Sequence, residues 1–244
     1  MALDRGFVEA IAAGDDEHRR RLGEALRALP GPWAVRSSCA SEDGSAASSA
    51  TFAVRVSVCS SRVWASAYSP GVRAYRDRLG ITAATEMAVV VQRLVDAEVA
   101  GVLFGGEDVL IEASWGLGEG VVAGTIEPDR YRLDDQGAVL EAHIADKGTE
   151  LRRDPNGGTA TRAVLEGRRN VACLTREQLL ALTTLARRCA RVFGGPRDIE
   201  WAIDGSGDLV CLQCRPITRA TPARKASSDG VLRAGVKRRR ALGV

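Results

Sequence analysis

Between residues 87 and 133 four strand-like segments follow one another, at 87–95, 99–104, 108–113 and 130–133, with no helical repeat between them. A parallel pair of strands needs a crossover of a dozen or more residues, usually a helix. The gaps between the first three segments are too short for one, so the sheet they form is built from hairpins. This pattern predicts an α+β chain and excludes a regular doubly wound sheet. The first segment, MAVVVQRLV, is apolar on both faces and reads as a buried strand. Its polar exception is Gln92, and burying an amide costs about 1–3 kcal/mol unless it is paired. The strand therefore predicts a partner for Gln92.

Helices frame this β-rich middle. A helical stripe of Leu22, Leu26 and Leu29 predicts a helix over residues 5–29, with a break near Gly14 and a stop at Pro30-Gly31-Pro32. Trp33-Ala-Val-Arg-Ser-Ser38 follows as a short buried strand, and 37–49 as a small, polar, mobile loop. A strand over 51–58, a helix within 62–78 and a hairpin arm at 139–144 complete the first two thirds. Near the end, Thr175-x-x-Gln178 is a capping box. Leu179, Leu182, Ala186, Cys189 and Phe193 repeat at helical spacing behind it, and Gly194-Gly195 ends the helix.

The next segment is a hairpin: strand 199–204, a Gly-Ser-Gly turn, strand 208–214. Alternation buries Ile199, Trp201 and Ile203 on one face and leaves Glu200, Ala202 and Asp204 on the other. A turn of this length sets Glu200 opposite Leu212 or Gln213. A carboxylate, an amide oxygen and Arg215 thus converge at the open end of one hairpin. Hard oxygens at this spacing suit Mg²⁺, which takes one or two protein ligands beside water and phosphate. An arginine beside them suits a phosphoryl group in transfer. Spacing alone leaves this set between a metal site and an ordinary exposed ion pair. Arg36, leaving a buried strand for a small-residue loop, has the setting of a phosphate contact or of a surface arginine. GLGEG, at 116–120, has the composition of a phosphate cradle, a weak signal alone.

Composition narrows the classes. With 244 residues and 45% hydrophobic residues, the chain can bury one large core or two smaller ones. No apolar run is long enough to span a bilayer. The N-terminal MALDRGFVEA carries charge where a signal peptide is apolar, which predicts a cytoplasmic protein without a membrane partner. From Arg219 onward there are eight Lys or Arg and one acid, so this stretch carries +7 of a net +3 and the rest carries −4. Residues 219–244 read as a solvated, disordered tail. With only 5% aromatic residues there is no stacking platform for nucleic acid. Six cysteines, including the lone C-x-x-C of Cys211 and Cys214, read as free thiols, and that pair as small hydrophobes in the core.

Five segments together resemble one family. AVRSSCASEDG, VVVQRLVDAEVAGVLF, IEASWGLGEGVVAGTIEPDRY, GGPRDIEWAID and LVCLQCRPIT resemble, in order, the ATP-binding domain of the phosphoenolpyruvate synthase and pyruvate phosphate dikinase family, which rifampicin phosphotransferases share. The likeness covers residues 29–218 with one weak stretch, and it favours the metal reading of the hairpin. It implies a two-lobed ATP-grasp fold over 1–218, with a small lobe at 1–85, a larger lobe at 86–218 and the N-terminal part truncated. It implies ATP and Mg²⁺ as ligands. Arg36 and Arg76 would contact the phosphates, the strand around Gln92 would line the adenine pocket, and Glu119 would lie near the nucleotide. Glu200 and Gln213 would hold Mg²⁺, and Arg215 would stabilise the moving phosphoryl group. Lys147 is a further nucleotide candidate on charge alone.

The sequence also departs from that pattern. Within these 244 residues no segment matches the family's upstream glycine-rich lysine segment, GSAASSA stands where a longer loop is expected after Arg36, and no segment resembles the histidine-bearing swivelling domain or the pyruvate-binding barrel. The expectation is an ATP-dependent phosphotransferase domain that passes a phosphoryl group to a histidine domain on another chain or to a small acceptor. The alternative is a non-catalytic nucleotide-binding or regulatory module.

Overall fold

The computed structural model describes residues 2–29, 31–39, 51–53 and 87–217. Arg76, Cys59, the helix expected within 62–78, most of the loop expected after Arg36 and the basic tail lie outside the described residues.

The chain opens with β1 (Ala2–Leu3) and two helices, α1 (Arg5–Ala13) and α2 (Asp16–Ala28). The break expected near Gly14 is there. Gly14 adopts φ 92°, a left-handed conformation that a side chain disfavours, and its N–H bonds back to α1. Aspartates open both helices: Asp4 accepts from the Phe7 amide at 2.9 Å and Asp15 from the His18 amide at 2.8 Å. Next come β2 (Trp33–Cys39), β3 (Thr51–Ala53) and β4 (Met87–Arg93). With β1 they form an antiparallel sheet in the order β1-β4-β2-β3.

Alternation divides this sheet into two working faces. Val35, Val89 and Val91 point to the helices and are fully buried with Val8, Ile11 and Leu22. Arg36 and Gln92 leave by the other face, Gln92 directly opposite Ala34 in the β2–β4 register. Residues 87–93, assigned by sequence to the second lobe, thus pair within the first sheet. An apolar strand announces its burial but not its neighbour.

The second sheet has six antiparallel strands. They are β5 (Ala97–Phe104), β6 (Val109–Trp115), β7 (Asp129–Leu133), β8 (Val139–His143), β11 (Arg197–Asp204) and β12 (Leu209–Pro216), in the order β12-β11-β5-β6-β7-β8. A short helix, α3 (Glu119–Val122), follows β6. A hairpin of β9 (Thr149–Arg153) and β10 (Thr159–Ala163), then α4 (Glu166–Arg169), precede the long α5 (Arg176–Phe193). The capping box is formed, with the Thr175 amide donating to Gln178 Oε1 at 2.8 Å. From it α5 lays Leu179, Leu182, Ala186 and Cys189 on one face of the sheet, against Leu103, Ile111, Ile199 and Trp201.

The β9–β10 hairpin is fastened to the sheet rather than inserted in it. Arg152 donates to the Ala97 carbonyl at 2.8 Å and to Glu98 at 3.2 Å. The Leu117 amide donates to the Leu151 carbonyl at 2.8 Å. Gly116 permits that approach: its φ is +80°, and a Cβ there would stand 2.2 Å from the Leu151 oxygen. Beneath this region lies a buried ion pair. Lys147 Nζ meets Asp129 Oδ1 at 2.6 Å, and both side chains are 0% exposed. Asp129 also accepts from the Ala145 amide at 2.9 Å, the Cys173 amide at 2.9 Å and the Tyr131 hydroxyl at 3.3 Å. No described helix is long and apolar enough to cross a membrane.

Candidate functional site

The free face of the four-stranded sheet and the free face of the six-stranded sheet enclose a cleft. Its floor is apolar, from Ala97, Ala100, Leu117, Ala202, Leu94 and Leu212. Its rim carries the polar groups, Arg36 and Gln92 from the first sheet, Glu200 from the second and Glu119 from α3.

A β-bulge builds the polar end. From the turn inward, Ile203 pairs with Leu209, Ala202 with Val210 and Trp201 with Cys211. Continued regularly, this register would set Glu200 against Leu212. The ladder shifts by one residue instead and sets Glu200 against Gln213, Ile199 against Cys214 and Asp198 against Arg215. Glu200 and Gln213 are therefore a direct cross-strand pair. Arg215 Nη2 donates to Glu200 Oε1 at 3.0 Å. From the other sheet, an Arg36 Nη1 hydrogen bond to Gln213 Oε1 closes the set. Four of the residues singled out by sequence, Arg36, Glu200, Gln213 and Arg215, thus meet in one cluster across two sheets.

The electrostatics favour charged ligands. Burial raises the Glu200 carboxyl above the usual carboxylate range, with Arg215 partly offsetting it. Asp198, on the same face two residues earlier, is raised by burial and likewise opposed by Arg215. Sequence reading passed over Asp198; its signal was the i, i+2 spacing from Glu200. Glu119 is raised by burial and opposed by a hydrogen bond with Thr159 of β10. Arg36 Nε is buried with no hydrogen-bond partner among the described residues, a donor that an incoming anion would satisfy.

Lys147 goes elsewhere. Sealed in its pair with Asp129, it is absent from the lining of the cleft, because a buried ammonium needs a carboxylate and a carbonyl more than it needs a ligand. The thiols also need a correction. Cys173 and Cys189 are buried, but Cys211 is exposed and Cys214 only half-buried. Strand β12 is the edge of its sheet, so the apolar alternation around these two cysteines meets cover on one side only.

An apolar slot with arginines and an orphaned N–H at one end and oxygen donors beside them is the arrangement of a nucleotide-binding domain. The sequence model of the pyruvate phosphate dikinase AMP/ATP-binding domain matches residues 3–233, and the chain belongs to that family. A probable phosphoenolpyruvate synthase of Methanothermobacter thermautotrophicus is 39% identical over 186 residues, which are 72% of this chain and 27% of the relative. A rifampicin phosphotransferase of Streptomyces sviceus is 34% identical over 247 residues, covering 92% of this chain and 28% of the relative. A prodigiosin synthesizing transferase of Serratia marcescens is 39% identical over 164 residues, or 64% of this chain and 18% of the relative. The chain therefore spans less than a third of the length of these relatives.

Proposed function

We propose that the chain is a two-lobed ATP-grasp domain that binds Mg-ATP in the cleft between its sheets and passes a phosphoryl group to a histidine domain. The observation that carries this reading is the four-residue cluster of Arg36, Gln213, Glu200 and Arg215, assembled from both sheets at one end of an apolar slot. The slot suits a base and the cluster suits phosphates. Gln92, half-buried on the cleft face, supplies an amide for the base.

The donor set fits magnesium. Glu200 and Gln213 present one carboxylate and one amide oxygen across a strand pair, and Mg²⁺ commonly takes one or two such ligands with phosphate and water completing six. When bound, the ion neutralises charge on the phosphate oxygens. The residues of the chain do the rest. Arg36 turns its unsatisfied Nε–H toward an anion, and Arg215 holds its charge beside the same point through its bond to Glu200. Phosphoryl transfer asks mainly for such positioning and charge stabilisation.

Calorimetry of ATP binding with and without Mg²⁺ tests the reading. A magnesium-dependent dissociation constant between micromolar and millimolar is expected, about −8 to −4 kcal/mol. Glu200→Ala should remove the magnesium dependence and leave the circular dichroism spectrum unchanged. Absence of heat at any concentration would overturn the binding reading. ATP consumption should rise above background only with a phosphohistidine-domain protein added, and Arg215→Ala should abolish it. Binding without turnover, whichever partner is added, would leave a nucleotide-binding module.

A further inference from the structure

The two side chains that suit magnesium are also the ones to which the arginines of the cleft donate. Arg36 Nη1 donates to Gln213 Oε1, from one sheet to the other. Arg215 Nη2 donates to Glu200 Oε1 at 3.0 Å, between neighbouring strands. This second pair lies well inside the wall of the cleft, with side chains 23% and 24% exposed. The two bonds differ in what they leave. Gln213 has a single amide oxygen, which Arg36 engages, whereas Glu200 keeps Oε2. A guanidinium aims its N–H groups at the lone pairs that a cation would use, and its charge repels a second cation a few ångström away.

We infer that Arg36 and Arg215 are placeholders at the cation site: they bar a free divalent cation from Glu200 and Gln213, and yield those oxygens to a cation that arrives on a polyphosphate. The inference rests on the nucleotide reading given above. Arg36 can make the exchange in two steps. Its Nε–H is buried and has no hydrogen-bond partner among the described residues, so it can donate to a phosphate oxygen while the bond to Gln213 is still in place. A guanidinium carries its N–H donors in a fixed fork, and a phosphate accepts two of them in parallel. As the fork settles on the phosphate, Nη1 leaves Gln213 and frees the amide oxygen as the phosphate brings its cation. Arg36 trades one acceptor for another, and Arg215 exchanges Glu200 Oε1 for a phosphate oxygen in the same way.

The site would thereby select the metal–nucleotide complex over the free metal. Two simpler accounts of the same bonds make different demands. If the bonds only hold the fold, breaking them changes nothing about cation binding. If only the total positive charge matters, removing any arginine of the cleft has the same effect. Arg93 separates these cases. It lines the same cleft, and among the described residues no hydrogen bond joins it to Glu200 or Gln213.

The test measures free Mn²⁺, a cation that suits the same oxygen ligands as Mg²⁺, by electron paramagnetic resonance with the full chain and no nucleotide. Arg36→Ala, Arg215→Ala and the double variant are each checked for a native circular dichroism spectrum, so the single variants carry the test if the double one does not fold. They should bind Mn²⁺ at least about tenfold more tightly than the unsubstituted chain, a size typical of coupled sites, and Arg93→Ala should not. Adding Glu200→Ala to either single variant should remove the gain, which assigns it to these oxygens. With the non-hydrolysable analogue AMP-PNP present, the unsubstituted chain should take up Mn²⁺ beyond the amount that the analogue binds by itself. Equal affinity in the unsubstituted chain and the arginine variants would overturn the inference, as would an equal gain in Arg93→Ala. The nucleotide reading fails separately, by the absence of heat with ATP, and the nucleotide-free measurement would still decide whether the arginines bar the cation.

Discussion

Removing the ammonium of Lys147 separates a structural role from a nucleotide role for that residue. Lys147→Met keeps the length of the side chain and deletes its charge. Asp129 would remain fully buried, holding its three other hydrogen bonds, from Ala145, Cys173 and Tyr131, but without a counter-charge. Deleting one partner of a buried ion pair costs about 3–5 kcal/mol. The three retained bonds place the expected loss at the lower end of that range. A loss of about 3 kcal/mol shifts Tm by roughly 6–12 °C in a domain of this size and is a large share of a typical total stability of about 5–15 kcal/mol. Urea denaturation followed by tryptophan fluorescence reads the loss, since Trp115 and Trp201 lie in the same core as Tyr131. If the midpoint stayed at the wild-type value while ATP affinity collapsed, Lys147 would be a nucleotide ligand and the structural argument would fail.

Glu200→Gln tests the electrostatics of the cleft. Burial raises this carboxyl in the folded chain, so the folded state holds its proton more tightly than the unfolded state does. That contribution is complete below the unfolded value and is lost as pH rises through the folded one. Without ligand, the Gln variant should therefore melt higher than wild type near neutral pH, with the gap closing below about pH 4; a lower melting temperature at neutral pH would contradict this. Gly101→Ala tests the β5–β6 seam: its Cβ would stand 1.9 Å from the Glu112 carbonyl oxygen. Forcing the strands apart should cost about 3 kcal/mol, and an unchanged melt by circular dichroism would show that the seam relaxes freely.

What the sequence disclosed follows from how local each signal is. The capping box at Thr175 and Gln178 and the glycine break at Gly14 are written in a few adjacent residues, and both were readable. The convergence of Glu200, Gln213 and Arg215 was readable because a hairpin is nearly local. Its final register was not, since the shift at Leu212 leaves no mark in an alternating run. The β9–β10 hairpin went unseen because TELRR and TATRA alternate without an apolar face; the Asp154-Pro-Asn-Gly-Gly turn between them was its one available sign. Long-range facts were hidden outright. Nothing near Met87–Arg93 says that this strand joins β1 and β2, and nothing near Lys147 says that Asp129 waits eighteen positions upstream.

Strand β11 has neighbours on both edges, β5 and β12, a packed core under Ile199, Trp201 and Ile203, and the cleft over Glu200 and Ala202. No side of it is left for neutral change. Damage along this strand sorts by parity of position: a substitution at an odd-numbered residue is felt as loss of protein, and one at an even-numbered residue as intact protein with a disturbed cleft. A single inserted residue exchanges the two sets at once, sending isoleucines into the cleft and a carboxylate into the core. The strand is thus tied to its length as firmly as to its composition, while the turn at 205–208 beside it, exposed throughout, can lengthen without consequence to either set.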